Sequence, residues 1–133
     1  MPTSLEIRDQ TVANVGKPEY SFIVTVVGET ISVRELITER VRQEVALYNQ
    51  QRPAFFRMLV QPSKAERTLN GFKLARSRTI DPDQQVQKAL EAFESNGFIV
   101  LVGDRQAESL DESIPLHEDM TVTFLKLVPL VGG

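Results

Sequence analysis

Within the first fifty residues the hydrophobic period of this chain changes from two to about 3.6, and the change falls on Ser32-Val33-Arg34-Glu35. That tetrapeptide fits a capping box. The Ser hydroxyl can accept from the backbone amide three residues on, and the Glu side chain can reach back to the Ser amide. Before it, Leu5 and Ile7 alternate with Glu6 and Arg8, so Leu5–Val12 reads as a strand. Asn14, Gly16, Lys17 and Pro18 form a turn, and the β-branched, aromatic run Tyr20–Val27 is the second strand of a hairpin. After it, Val33, Ile37, Val41, Val45 and Tyr48 recur every three or four residues, with Leu36 and Leu47 widening the stripe. This is the core face of a helix. A chain with this opening is committed to strand, strand, helix.

The middle of the chain is less regular. Arg52-Pro53 ends the first helix. Phe55, Phe56, Met58, Leu59 and Val60 form an apolar patch, either the core of this region or, where exposed, a partner groove. Ser63 can cap a short helix over Lys64–Leu69, and Asn70-Gly71 signals a turn before an extended segment at Phe72 and Leu74. Lys73, Arg76 and Arg78 are the one locally basic stretch, facing an acidic partner or solvent. Asp81-Pro82 starts a second helix: an Asp cap, then Pro where no amide hydrogen bond is lost. Val86, Ala89, Leu90 and Phe93 are its buried stripe, and Asn96-Gly97 a left-handed stop.

The closing third returns to strands. Phe98–Val102 is wholly apolar, as for an inner strand covered on both faces or ending beneath a helix. Gly103-Asp104 turns the chain, and Ile114-Pro115-Leu116 anchors an acidic connection to the core. Thr121–Val128 is the last strand, with Val122 and Phe124 alternating with Thr121 and Thr123. If that strand lies between others, it holds the remaining residues by their base.

Composition narrows the function. A length of 133 residues, 41% hydrophobic and 25% charged, fits one folded domain with a core of its own. The net charge of −3 argues against nucleic acid as a general partner. No cysteine is present, which excludes disulfides, thiolate zinc and a cysteine nucleophile, and fits a reducing cytoplasm. Met1-Pro2-Thr3-Ser4 has no signal-peptide character, and no apolar run is long enough for a membrane span. His117, the single histidine, beside Glu118 and Asp119 is a thin ligand set, better read as structural or exposed; no metal or cofactor is expected. Asp104, Glu108, Asp111, Glu112, Glu118 and Asp119 are either a docking face or a solvated loop. No glycine-rich phosphate loop occurs.

The sequence finishes on Leu130-Val131-Gly132-Gly133. Without Cβ atoms, a glycine pair can thread a channel too narrow for other residues, and its carboxylate is the least hindered acyl group a protein offers.

Taken together, three segments resemble the β-grasp fold of ubiquitin-like modifiers and of the sulfur carriers of thiamin and molybdopterin synthesis. They are Tyr20–Val26 with Thr30–Ile37, Phe98–Asp104 with Ile114–Phe124, and the tail Val128-Pro129-Leu130-Val131-Gly132-Gly133. The resemblance implies an α+β, β-grasp mixed sheet packed on a helix. It implies a single domain over 1–133, with an enlarged helical insertion about 49–96 and an exposed tail at 128–133. It also implies a protein that is no enzyme. An E1-like activating enzyme spends ATP to adenylate Gly133, with Gly132 giving clearance and Val128, Pro129, Leu130 and Val131 recognised as the tail. An E2-like conjugating enzyme then passes the acyl group to lysines of target proteins, and a peptidase removes it. In bacteria such systems resemble parts of antiphage defence operons. Lys17, Lys64, Lys73, Lys88 and Lys126 are the positions open to a second copy. The apolar tail is closer to the sulfur carriers, for which the product is a C-terminal thiocarboxylate. A non-conjugated β-grasp binding module is the third reading.

Overall fold

The computed structural model describes residues 2–12, 20–68, 71–75 and 78–127. It is an α+β protein with a mixed five-stranded sheet and two helices. The chain divides into two compact units, Met1–Leu36 with Ala92–Gly133, and Ile37–Glu91.

The first unit holds the large sheet. Strands β1 (Pro2–Thr11) and β2 (Tyr20–Val27) form the expected hairpin, in register from Pro2↔Val27 to Asp9↔Tyr20. A short β3 (Thr30–Ser32) follows. After the second unit come β6 (Phe98–Val102), β7 (Arg105–Gln106), β8 (Ser113–Pro115) and β9 (Met120–Lys126). The order across the sheet is β2-β1-β9-β6-β7, so the last strand lies inside it. It runs parallel to β1 and antiparallel to β6. Leu5, Ile7, Val24, Val26, Val100, Val122 and Phe124 supply one buried face. A second small sheet pairs β3 with β8 and buries Ile31 and Ile114.

Helix α1 (Val33–Gln51) begins where the capping box places it. The Glu35 amide donates to Ser32 Oγ at 3.0 Å, and the Ser32 amide to Glu35 Oε1 at 3.3 Å. The two preceding amides are also satisfied: Val33 donates to the Glu112 carbonyl and Arg34 to that of Leu110. The amides of Val33, Arg34 and Glu35, which the helix itself cannot satisfy, therefore each have a partner.

In the second unit, α1 ends with Arg52 in the left-handed region, its amide bonded to the Tyr48 carbonyl, just before Pro53. Strands β4 (Glu66–Arg67) and β5 (Phe72–Lys73) form a small hairpin, and Phe56 bridges to Phe72 on its other side. Helix α2 (Pro82–Glu94) starts on its Asp cap: the Asp83 amide donates to Asp81 Oδ1 at 3.0 Å. Asn49 exchanges two 2.9 Å hydrogen bonds with the backbone of Ile80.

Four sequence expectations are corrected. No helix forms after Ser63: residues 63–64 are a turn and Glu66–Arg67 is a strand, because β5 offers it a ladder; Leu69 and Asn70 lie outside the described residues. The insertion is thus not simply helical. Leu47 does not widen the buried stripe but is 50% exposed. Phe55 leaves the apolar patch at 69% exposed, while Met58 and Leu59 are buried. In β6 only Phe98 and Val100 are buried; Ile99, Leu101 and Val102 are half-exposed, so the strand is covered on one face. No described helix is long and apolar enough to cross a membrane.

Candidate functional site

The candidate site is the end of β9, where the chain leaves the sheet. Lys126 is the last paired residue and is held from both sides, opposite Thr11 of β1 and Phe98 of β6. Two residues earlier Phe124 is fully buried, its ring 5.8 Å from that of Phe98, which lies 5.9 Å from Phe93. One residue later the Leu127 amide donates to the Gly97 carbonyl at 3.1 Å. Gly97 is itself fixed by the end of α2. Asn96 takes the left-handed conformation, its amide bonds to Phe93, and the Gly97 amide bonds to Ala92 at 2.7 Å. Those two bonds are the pair that closes a Schellman motif, with Asn in place of the usual glycine.

The expected reacting and recognition residues, Val128, Pro129, Leu130, Val131, Gly132 and Gly133, lie outside the described residues. The described part of the site is therefore its base. Lysine positions are scattered. Lys64 and Lys73 are exposed, Lys88 donates to the Gln61 carbonyl, Lys126 is half-buried, and Lys17 lies outside the described residues. Lys73 pairs with Glu66 at 3.2 Å, Arg78 is exposed, and Arg76 is outside the described residues.

Beside Gly97 a cleft of about 290 Å³ opens between the end of α2, β6 and the segment after β7. Phe93, Phe98 and Leu110 contribute its apolar lining, and Glu94, Glu108 and Asp111 its carboxylates. It brings together two of the six expected docking carboxylates. Of the others, Glu112 is engaged by its own neighbours in the chain. It pairs with the Arg105 guanidinium and accepts the Glu108 amide at 2.9 Å. The amide bond first, and then Arg105, hold its carboxyl below the ordinary glutamate range. Asp111 pairs with Arg34 at 3.4 Å. Asp104, Glu118 and Asp119 are exposed turn residues. His117 is exposed too, with Nδ1 3.2 Å from the Glu118 carbonyl. Among the described residues no group of His, Cys, Asp or Glu is arranged to hold a metal ion.

Four polar residues among the described ones are buried without having been read so from the sequence, Thr3, Asp9, Arg40 and Gln85, and the last two are the least accessible. Arg40 is wholly inaccessible and forms a forked ion pair with Glu44, Nε to Oε1 and Nη2 to Oε2 both 3.2 Å. Its signal was an i, i+4 pair of opposite charge on the bearing of the apolar stripe. Gln85 is also buried, its Nε2 donating to the Val60 carbonyl at 2.7 Å; nothing in its surroundings in sequence marks it.

No protein-family model, no curated protein and no solved structure matches this chain.

Proposed function

We propose that this chain is a ubiquitin-like modifier of the β-grasp class, joined to target amines through the Gly133 carboxylate. The observation that carries the reading is the position of β9. The closing strand runs inside the sheet, between β1 and β6, and its last residues are pinned by Lys126 pairing and the Leu127 amide. An acyl donor of this kind needs a rigid base and six following residues, long enough to reach roughly 20 Å when extended. The order of hairpin, α1, β6 and β9 supports the β-grasp assignment.

The chemistry is borne by partners. A carboxylate resists nucleophiles because it is anionic. An E1-like enzyme adenylates Gly133, converting the carboxylate oxygen into a leaving group as AMP. An E2-like enzyme carries the acyl group to a lysine amine, and a peptidase reverses the bond. This chain supplies the acyl group, a tail of Val128-Pro129-Leu130-Val131 for recognition, and docking surface near the tail's base, for which the acidic cleft beside Gly97 is suited. A bacterial, cytoplasmic conjugation system with a role in antiphage defence is the setting we assign to it. The apolar tail favours a second reading, a sulfur carrier in which sulfide displaces AMP and leaves a thiocarboxylate.

The test is mass spectrometry of the full chain, tagged at its N-terminus and recovered from its own cells. Lysine isopeptides through Gly133 support conjugation. A thiocarboxylate at Gly133 supports sulfur transfer instead. If neither forms and removing Gly133 leaves the cellular phenotype intact, both covalent readings fall.

A further inference from the structure

We propose that the second unit, Ile37–Glu91, carries a binding face for single-stranded nucleic acid, built on the β4–β5 hairpin and the Phe55–Arg57 segment that bridges to it. The net charge of −3 conceals a division. This unit has ten Lys and Arg against six Asp and Glu, a net +4, whereas the first has five against twelve, a net −7. The positive charge is concentrated further. From Arg52 to Arg78, seven Lys and Arg accompany a single acidic residue, Glu66. The low whole-chain charge thus argues against a phosphate backbone along the first unit, and not along this stretch.

The fold gathers part of that charge around one exposed ring. Phe56 bridges antiparallel to Phe72, and Phe72 pairs with Arg67 on its other side, so three extended segments lie side by side. The Phe56 ring fixes them, 4.5 Å from that of Tyr48 and 6.0 Å from that of Phe72. Phe55, Arg57 and Lys73 each stand one residue from this row. With strands about 4.8 Å apart and residues about 3.3 Å apart, the backbones of Phe55, Arg57, Arg67 and Lys73 fall within roughly 10–12 Å of one another. Arg57 reaches the hairpin itself, its Cγ 3.5 Å from where a Gly71 Cβ would stand. All four residues are exposed, Phe55 at 69%. Lys64 and Arg78 are exposed as well, and among the described residues no carboxylate pairs with Lys64, Arg67 or Arg78.

An aromatic ring set among cations is the pattern that binds a single strand: the ring stacks on a base and the cations take the phosphates on either side. An acidic protein segment would use the cations and leave the ring in water. Five of the seven cations are arginine, whose planar head both forks onto phosphate and stacks on bases. A duplex fits less well, because the helices of this unit offer no basic face to a groove. Arg40 is buried on Glu44, Arg42 pairs with Asp83 at 3.3 Å, and Lys88 donates to the Gln61 carbonyl. The first unit's negative charge repels the same ligand and keeps the affinity modest and dependent on salt.

The test is fluorescence anisotropy of a labelled oligonucleotide of about fifteen thymidines titrated with the full chain, a length that covers one site of this kind. A dissociation constant on the order of 10–100 µM is expected near 0.1 M salt, and about three phosphate contacts give a log–log salt slope of about −2. Phe55→Ala is expected to weaken binding about tenfold at an unchanged slope, while Phe55→Tyr, which keeps the ring, retains it. Arg67→Gln combined with Lys73→Gln removes two phosphate contacts and should flatten the slope to about −0.7. All of these replace exposed side chains, and unchanged urea midpoints show that binding rather than folding has moved. Binding requires neither ATP nor Gly133, so its outcome is separate from that of conjugation. No binding at about 1 mM protein overturns the proposal, since non-specific sites lie well below that. So does a duplex of equal length that binds more tightly, or a Phe55→Ala variant that binds as wild type. An oligo-glutamate that displaces the thymidines equally well also overturns it and assigns the face to an acidic protein.

Discussion

The Leu127 amide donates to the Gly97 carbonyl across 3.1 Å, tying the last described residue of the chain to the turn that ends α2. Three residues upstream, Phe124 is fully buried against Phe98. The stretch on which the proposed tail stands is therefore locked from both the backbone and the side-chain side.

Truncating that lock should be costly. Phe124→Ala removes a buried ring and leaves a cavity, with an expected loss of about 3–5 kcal/mol in urea unfolding. Phe124→Leu should retain more than half of that. A loss under about 1 kcal/mol for the alanine variant would show that Phe124 does not anchor the strand.

Arg40 and Glu44 give an asymmetric prediction. Glu44→Gln removes the carboxylate against which the buried Arg40 guanidinium forks and should cost about 3–5 kcal/mol. It also weakens the acceptor of the Leu59 amide, 3.5 Å from Glu44 Oε1. Replacing both members, with Arg40→Met and Glu44→Leu, should return the midpoint to near wild type. Thermal melts of the two variants decide it; equal losses would contradict a buried ion pair.

Among the described glycines, Gly71→Ala is expected to be the most destabilising substitution. A Cβ there would stand 2.2 Å from the Phe56 carbonyl oxygen, closer than any real contact. The Phe56 and Phe72 backbones are tied at 2.8 and 3.0 Å, so neither can retreat without losing both bonds. A loss of about 2–4 kcal/mol follows from broken hydrogen bonds and displaced packing. Amide exchange at Phe56 and Phe72 should accelerate with it.

The pH dependence follows from two lowered carboxyls. Glu6 is held below the ordinary value of 4.5 first by its hydrogen bonds from Arg8, Glu112 first by the Glu108 amide. A group with a depressed folded-state pKa contributes stability above its unfolded value and loses it as pH falls through the folded one. Unfolding free energy should thus decline below pH 4.5, and Glu112→Gln should flatten that decline without changing the slope near neutrality. An unchanged acid limb in the variant would contradict the assignment to Glu112.

Much of this fold could be read from local signals, because those signals act locally. Ser32 and Glu35 cap α1 with their own side chains, and Asp81 and Pro82 start α2 the same way. What failed depended on residues far away. Leu36 and Leu47 are three turns apart and share a bearing on the helix to within about 20°. One is buried and the other exposed, because cover along α1 is not uniform. Ser63 looked like a cap, but Glu66 and Arg67 found strand partners at Lys73 and Phe72. Of the site, the last strand itself was legible in the alternation of Val122 and Phe124 with Thr121 and Thr123; its place inside the sheet entered only as a condition, because pairing with β1 and β6 joins residues far apart in the chain. The cleft beside Gly97 was not, since Glu94, Phe98 and Leu110 meet only after the chain has folded.

The interior position of β9 has a mechanical consequence. A pull on the residues after Lys126 loads the β1 and β9 ladders lengthwise, and that of β6 with them. Bonds sheared along a strand bear force together, whereas bonds at a free edge open one after another. A machine that unfolds this protein by hauling on its tail meets the whole sheet at once. One that takes hold of β2 or β7 can peel it strand by strand.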